Sequence, residues 1–286
     1  MGITDTVDRP ALGAPSLVGG SAVVAFVALS VVAFSAGLWK VGVISWVAFG
    51  AMAGAAPLGV RAAASVDARR LVWGYGLASG AMVASAAAFL LPQAIGLDPK
   101  LGGFGVAAGL LVGFGSHTLG HRVSHLDLPF DATAAQLSAH ALSAGLIIGL
   151  VYGTMPEVGL LLGLAIVSHK GPAGYAAARR LARDGRSASV LLLPAAGVGL
   201  TAIPAAALGL PSAPATNAAV FGFAAGVFLH IAMDFLPRCE VGSEVSELAG
   251  ITADDHALLD RLRLHAVAST GLGALAVFLA WVALGA

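Results

Sequence analysis

The sequence predicts an all-α, polytopic membrane helical bundle, and three observations carry that reading. Apolar residues make up 58% of the 286 and charged residues only 10%, against about 25% charged in soluble domains; mean hydropathy is +0.90. The apolar residues fall in runs near ~20 residues, the length that crosses ~30 Å of hydrocarbon at ~1.5 Å per residue. The 38 glycines, set among alanine-rich stretches, suit membrane helices whose backbones approach closely. A net charge of zero gives nucleic acid nothing to bind. The single cysteine, Cys239, excludes an intramolecular disulfide and any cysteine-based zinc module.

Taken in order, the runs place spans at 17–38, 41–60, 71–92, 101–118, 134–152, 157–178, 188–209, 216–237 and 264–285, nine in all. The opening "MGITDTVDRP" is acidic and polar, unlike the basic start of a cleaved signal peptide. Pro194 and Pro204 interrupt the seventh run, which membrane helices tolerate where neighbours satisfy the freed carbonyls. Nine spans put the N-terminus and alternate loops on one side. Arg9, Arg61, Arg69, Arg70, Arg122, Arg179, Arg180, Arg183, Arg186, Arg238, Arg261 and Arg263 all fall there. Only Lys40 and Lys100 fall opposite, and Lys170 lies within a span. That asymmetry makes the N-terminus cytoplasmic and the C-terminus extracellular in a multi-pass cell-membrane protein. The third span ends "AAAFLLPQ" and the eighth "IAMDFLPR", an echo between helices of opposite direction. Inverted repeats of transporters have that form.

Ionisable residues inside spans are costly, about 2.5–3.5 kcal/mol each on insertion scales, and they mark pathways and sites. The set is His140, His169, Lys170, His230 and Asp234. Counted from the cytoplasmic ends, His140, His230 and His169 lie ~9, ~10 and ~13 Å deep, in one layer. His230 and Asp234 share one helix face. Imidazoles with a carboxylate suit Zn²⁺ or another first-row divalent ion; interhelical hydrogen bonding is the alternative for each histidine. In "HTLGHRVSH", His117, His121 and His125 recur every fourth residue, a spacing that suits a chelate and also an ordinary polar helix end. One histidine box is too few for a di-iron desaturase, and nine spans argue against a retinal-type pump.

"SHKGPAG" (168–174), "SAHALSAG" (138–145), "FAAGVFLHIAMDFLPR" (223–238), "LLPQ" (90–93) and "LTAIPAA" (200–206) together resemble the ZIP (Zrt/Irt-like) family of divalent-metal transporters. They stand in the order of that family's fifth, fourth, seventh, second and sixth helices, and the fifth is similar to its H-K-x-P-A branch. The resemblance implies eight family helices over residues 41–286, with residues 1–40 contributing a tail and an extra N-terminal helix. It implies metal ligands at His140, His169 and Asp234, with His230 additional and Ser143 and Lys170 accessory. A histidine-rich cytosolic loop is the family's counterpart of His117, His121 and His125. Where the family carries acids, this chain has Ala144, Ala173 and Ile203. Ala141 replaces an asparagine, and Gln93 and Arg238 replace two glutamates. Those losses reduce the expected site to one ion.

The expected function is therefore transport of a divalent cation, Zn²⁺ first, by alternating access and without enzymatic chemistry. The alternative is a non-transporting relative that senses metal or serves structurally. The metal is expected as transported substrate; the expected partners are that ion and the lipid bilayer, with a homodimer left open. Residues 238–263 are acidic and partly helical by pattern, without a motif.

Overall fold

The computed structural model describes residues 17–63, 67–124, 132–157, 159–208, 213–237 and 255–283, with short pieces of 239–250. The order is α1 (Leu17–Ser35), α2 (Trp39–Ala62), α3 (Ala68–Ser85), a π-helical turn (Ala86–Leu90), α4 (Leu91–Leu97), α5 (Pro99–Ser124) and α6 (Ala132–Thr154). Then follow α7 (Leu160–Val167), α8 (Lys170–Arg183), a 3₁₀ turn (Ala188–Leu191), α9 (Leu192–Ala207), α10 (Pro214–Phe235) and α11 (His256–Ala283). No strand occurs among the described residues. Seven helical stretches there are long and apolar enough to cross a membrane: α1, α2, α3 through α4, Leu137–Thr154 of α6, the 3₁₀ turn with α9, α10 and α11.

The other two predicted spans take different forms. Segment 101–118 lies in α5, one unbroken helix from Pro99 to Ser124, apolar over Pro99–Gly115, where its side chains are described. Segment 157–178 is broken between α7 and α8 at Ser168 and His169. Proline explains the break: its ring clashes with the carbonyl four residues earlier, which for Pro172 is that of Ser168. Pro92 acts likewise against Ala88, and the chain responds with the π turn, closed by the Leu91 N–H on the Ala86 carbonyl. The helix then runs on to Leu97, past the predicted end at residue 92. In the echoing segment Pro237 instead ends α10, with Leu236 extended at ψ 125°. The last helix starts at His256, about two turns before the predicted residue 264, so it takes up the end of the acidic segment 238–263.

Helices pair along seams of small residues: α5 with α10, α6 with α9, α3 with α11 and α2 with α8. In the α5–α10 seam, a methyl group on Gly105 would sit 2.6 Å from the Ala219 carbonyl oxygen, and one on Gly109 would strike that of Phe223. Gly222 and Gly226 meet the Gly102 and Val106 carbonyls in the same way from the other side. Lipid tails give apolar side chains no reason to seek each other, so close backbone packing is what joins such helices. Polar ties add to the seams: the Thr201 hydroxyl donates to the Leu142 carbonyl at 2.7 Å, and that of Ser79 to the Ala232 carbonyl at 2.8 Å. The second bond joins α3 to α10, the two segments whose endings echo each other.

The turn from α6 into α7 is clamped by Tyr152, whose hydroxyl donates to the Gly159 carbonyl at 2.7 Å and accepts from the Gly163 N–H at 3.0 Å. The Lys40 ammonium donates to the Pro156 carbonyl at 2.6 Å in the same turn. Cys239 is buried in a small apolar cluster with Leu71, Val72, Val245, Leu259 and Leu262. Burial pushes its thiol up in pKa, which makes it a packing residue rather than a reactive one.

Candidate functional site

Three helices converge on the break between α7 and α8. His169, the residue preceding α8, is fully buried. Its Nε2 lies 3.1 Å from Nε2 of His140 on α6, with the two rings 5.3 Å apart between centroids. The rings of Phe228 and Phe235 on α10 stand edge-on to His169, at 6.0 and 6.3 Å between centroids. The neighbouring seams fix this arrangement: Gly197 of α9 packs on Ala141, next to His140, and Gly174 of α8 packs on the Met52 backbone of α2. Two convergent imidazole nitrogens can share a proton or hold one cation.

Lys170 follows directly and is 1% exposed. Its Nζ has no hydrogen-bond partner among the described residues. Removing an unpaired ammonium from water costs several kcal/mol, so this residue is expensive where it stands. Ala144, Ala173 and Ile203, at the positions where the resemblance would place acids, are all buried. The site is therefore rich in nitrogen and poor in oxygen.

His230 and Asp234 form a separate pair. Nε2 of His230 lies 3.3 Å from a carboxylate oxygen of Asp234, one turn on. A methyl group on Gly113 of α5 would meet the His230 ring, so this imidazole faces α5. Helix rotation is the reason: at ~100° per residue, Phe228 and Phe235 share the face toward His169, whereas His230 is ~200° from Phe228. The expected layer of three histidines thus divides, with His140 and His169 together and His230 with Asp234. Among the described residues, no group of three or more His, Cys, Asp or Glu side chains is placed to hold a metal.

Ser143 is exposed on α6, and its hydroxyl donates to the Ala139 carbonyl at 2.8 Å, leaving it outside the histidine pair. Gln93 is exposed beyond the π turn. His117 and His121 lie in the last turns of α5, and His125 is outside the described residues, as is Arg238. The aromatic wall of Phe228 and Phe235 was missed from sequence, although their seven-residue spacing marks one face of α10. So was the stripe Gly222, Gly226, His230, Asp234, which repeats every fourth residue and lies along the α5 seam.

The fold and these polar pairs define an all-helical protein with apolar helices of membrane-crossing length, consistent with a multi-pass membrane protein. No protein-family model matches the chain, and no curated protein matches it.

Proposed function

We propose that this protein is a multi-pass membrane transporter that carries a divalent metal cation, zinc foremost, through the helix bundle by alternating access. One observation carries the reading. Two nitrogens bound to a single tetrahedral zinc at ~2.0–2.1 Å stand about 3.3–3.4 Å apart, and His140 and His169 hold their Nε2 atoms 3.1 Å apart on separate elements. Two imidazoles bind an ion weakly enough to release it, which suits a cargo better than a resident ion. The ZIP-like order of motifs supports the same reading, and so does the break in the helix beside the pair, since transporters build such sites at interrupted helices. The remaining ligand positions fall to water, or to His230 and Asp234 once α10 moves together with α5.

In this reading α5 and the α7–α8 pair complete nine crossings, with the N-terminus cytoplasmic by the arginine asymmetry. A second reading, a metal-sensing or structural relative without transport, draws on the packed apolar residues Ala144, Ala173 and Ile203. Zinc uptake into proteoliposomes decides between them. Transport predicts time-dependent accumulation that is lost in a folded His169→Ala variant. Zinc that binds but never accumulates leaves the sensing role.

A further inference from the structure

The strongest unexplained group in the molecule is the amine of Lys170. It is buried, and among the described residues nothing accepts a hydrogen bond from it. Lys170 is also the first residue of α8, a helix of 14 residues. Helical side chains lean toward the N-terminus of their helix, so an amine at the first position reaches past the helix end, in front of the first amides. Pro172 has no N–H, and the Ala173 N–H is taken by the His169 carbonyl at 3.0 Å. The first two amides at this end belong to Lys170 and Gly171. A methyl group on Gly171 would meet only the Ala51 carbonyl oxygen, at 3.8 Å, whereas one on Gly174, a turn later, would strike the Met52 backbone.

The electrostatics all have one sign. A helix N-terminus carries positive partial charge, an ammonium adds a full one, and the adjacent histidine pair is a nitrogen cluster. Among the described residues acids do not offset them: Ala144, Ala173 and Ile203 are buried and apolar, and Asp234 is paired with His230. A divalent ion on His140 and His169 would add two further charges. Half-helix N-termini at such breaks bind anionic groups in membrane proteins.

We propose that Lys170 and the N-terminus of α8 bind a small monovalent anion of halide size inside the bundle, next to the histidine pair. The anion pairs with Lys170 in the metal-free protein and offsets the charge of a metal when one is present, so the site stands independently of the transport reading.

The test uses the full chain, purified metal-free, with bromide and chloride as probes. In crystals grown with bromide, the anomalous signal should mark one ion beside Lys170 Nζ. In solution, broadening of the ³⁵Cl⁻ resonance should report chloride binding that gluconate does not displace. In a folded Lys170→Met variant, affinity should drop about tenfold to hundredfold, the worth of one charge-assisted hydrogen bond, while Lys170→Arg retains it. If Lys170→Met does not fold, the bromide position in the native chain decides alone. Bromide found only at surface arginines means an adventitious ion only and overturns the proposal, as does unchanged chloride broadening in folded Lys170→Met. Loss of zinc uptake with bromide seated at Lys170 removes the transport reading and leaves this one; the reverse result removes this one alone.

Discussion

Replacing His140 and His169, singly and together, gives the sharpest test of whether their pairing exists for a metal. Without metal, the 3.1 Å contact is an interhelical hydrogen bond, worth about 0.6–1.7 kcal/mol in membrane proteins. Either alanine variant should therefore lose about that much stability in zinc-free buffer. With zinc the expectation is larger. Four-ligand sites bind with apparent energies of about 10–16 kcal/mol, so one ligand accounts for roughly 3 kcal/mol, or about a hundredfold in Kd. At zinc concentrations about a hundred times the native Kd, the ion stabilises the native protein by about 2.7 kcal/mol. Most of that should vanish in either single variant. The double variant should lose little more, because one imidazole left alone no longer chelates, and the coupling is then strongly non-additive. The assay is thermal unfolding in detergent with and without zinc, on variants that elute and fold as the native chain does. Zinc stabilisation that survives in both single variants, or losses that simply add, would refute a shared ion and leave the hydrogen bond as the whole account.

Two further expectations test the frame around the site. Gly109→Val should destabilise the protein by about 1–3 kcal/mol through overpacking, because its side chain would strike the Phe223 carbonyl; Gly103→Val, which meets nothing within 4 Å, should be close to neutral. Equal losses in a thermal melt would mean that the α5–α10 seam is not what holds those helices. Single cysteines placed at Lys100 and Arg183, in a Cys239→Ser background, should be labelled from outside and from inside respectively; labelling of both from one side removes the nine-crossing arrangement.

Much of the fold was legible because it is written in the apolar runs. A run of ~20 apolar residues has few alternatives to a helix, and the described helices follow the predicted runs in order. What hydropathy could not register was the break at His169 and the π turn before Pro92. Both were nevertheless written locally: each lies at the carbonyl four residues before a proline, where the ring collides. Pro57 and Pro204 lie within α2 and α9, so the rule locates where a helix is vulnerable and packing decides whether it breaks. The pairing of helices was less accessible. Glycine spacing marks a close-packing face on α5 and another on α10, but nothing in either pattern says that the two belong together.

The candidate site shows the same limit in its sharpest form. Depth along a helix follows from counting residues, and His140, His169 and His230 do count to similar depths. Whether side chains at one depth meet depends on how each helix is rotated about its axis, and that is set by its neighbours. On α10 the small residues Gly222 and Gly226 commit one face to α5, and His230 and Asp234 extend that same stripe by two more turns. The face toward α8 is left to Phe228 and Phe235, which close on His169 as an aromatic wall. A rotation of α10 large enough to bring His230 to His169 would tear Gly222 and Gly226 from the carbonyls of Gly102 and Val106. The two polar pairs can therefore join only if α5 moves with α10 as a unit; on the transport reading, the glycine seam rather than the histidines governs how many ligands an ion meets at once.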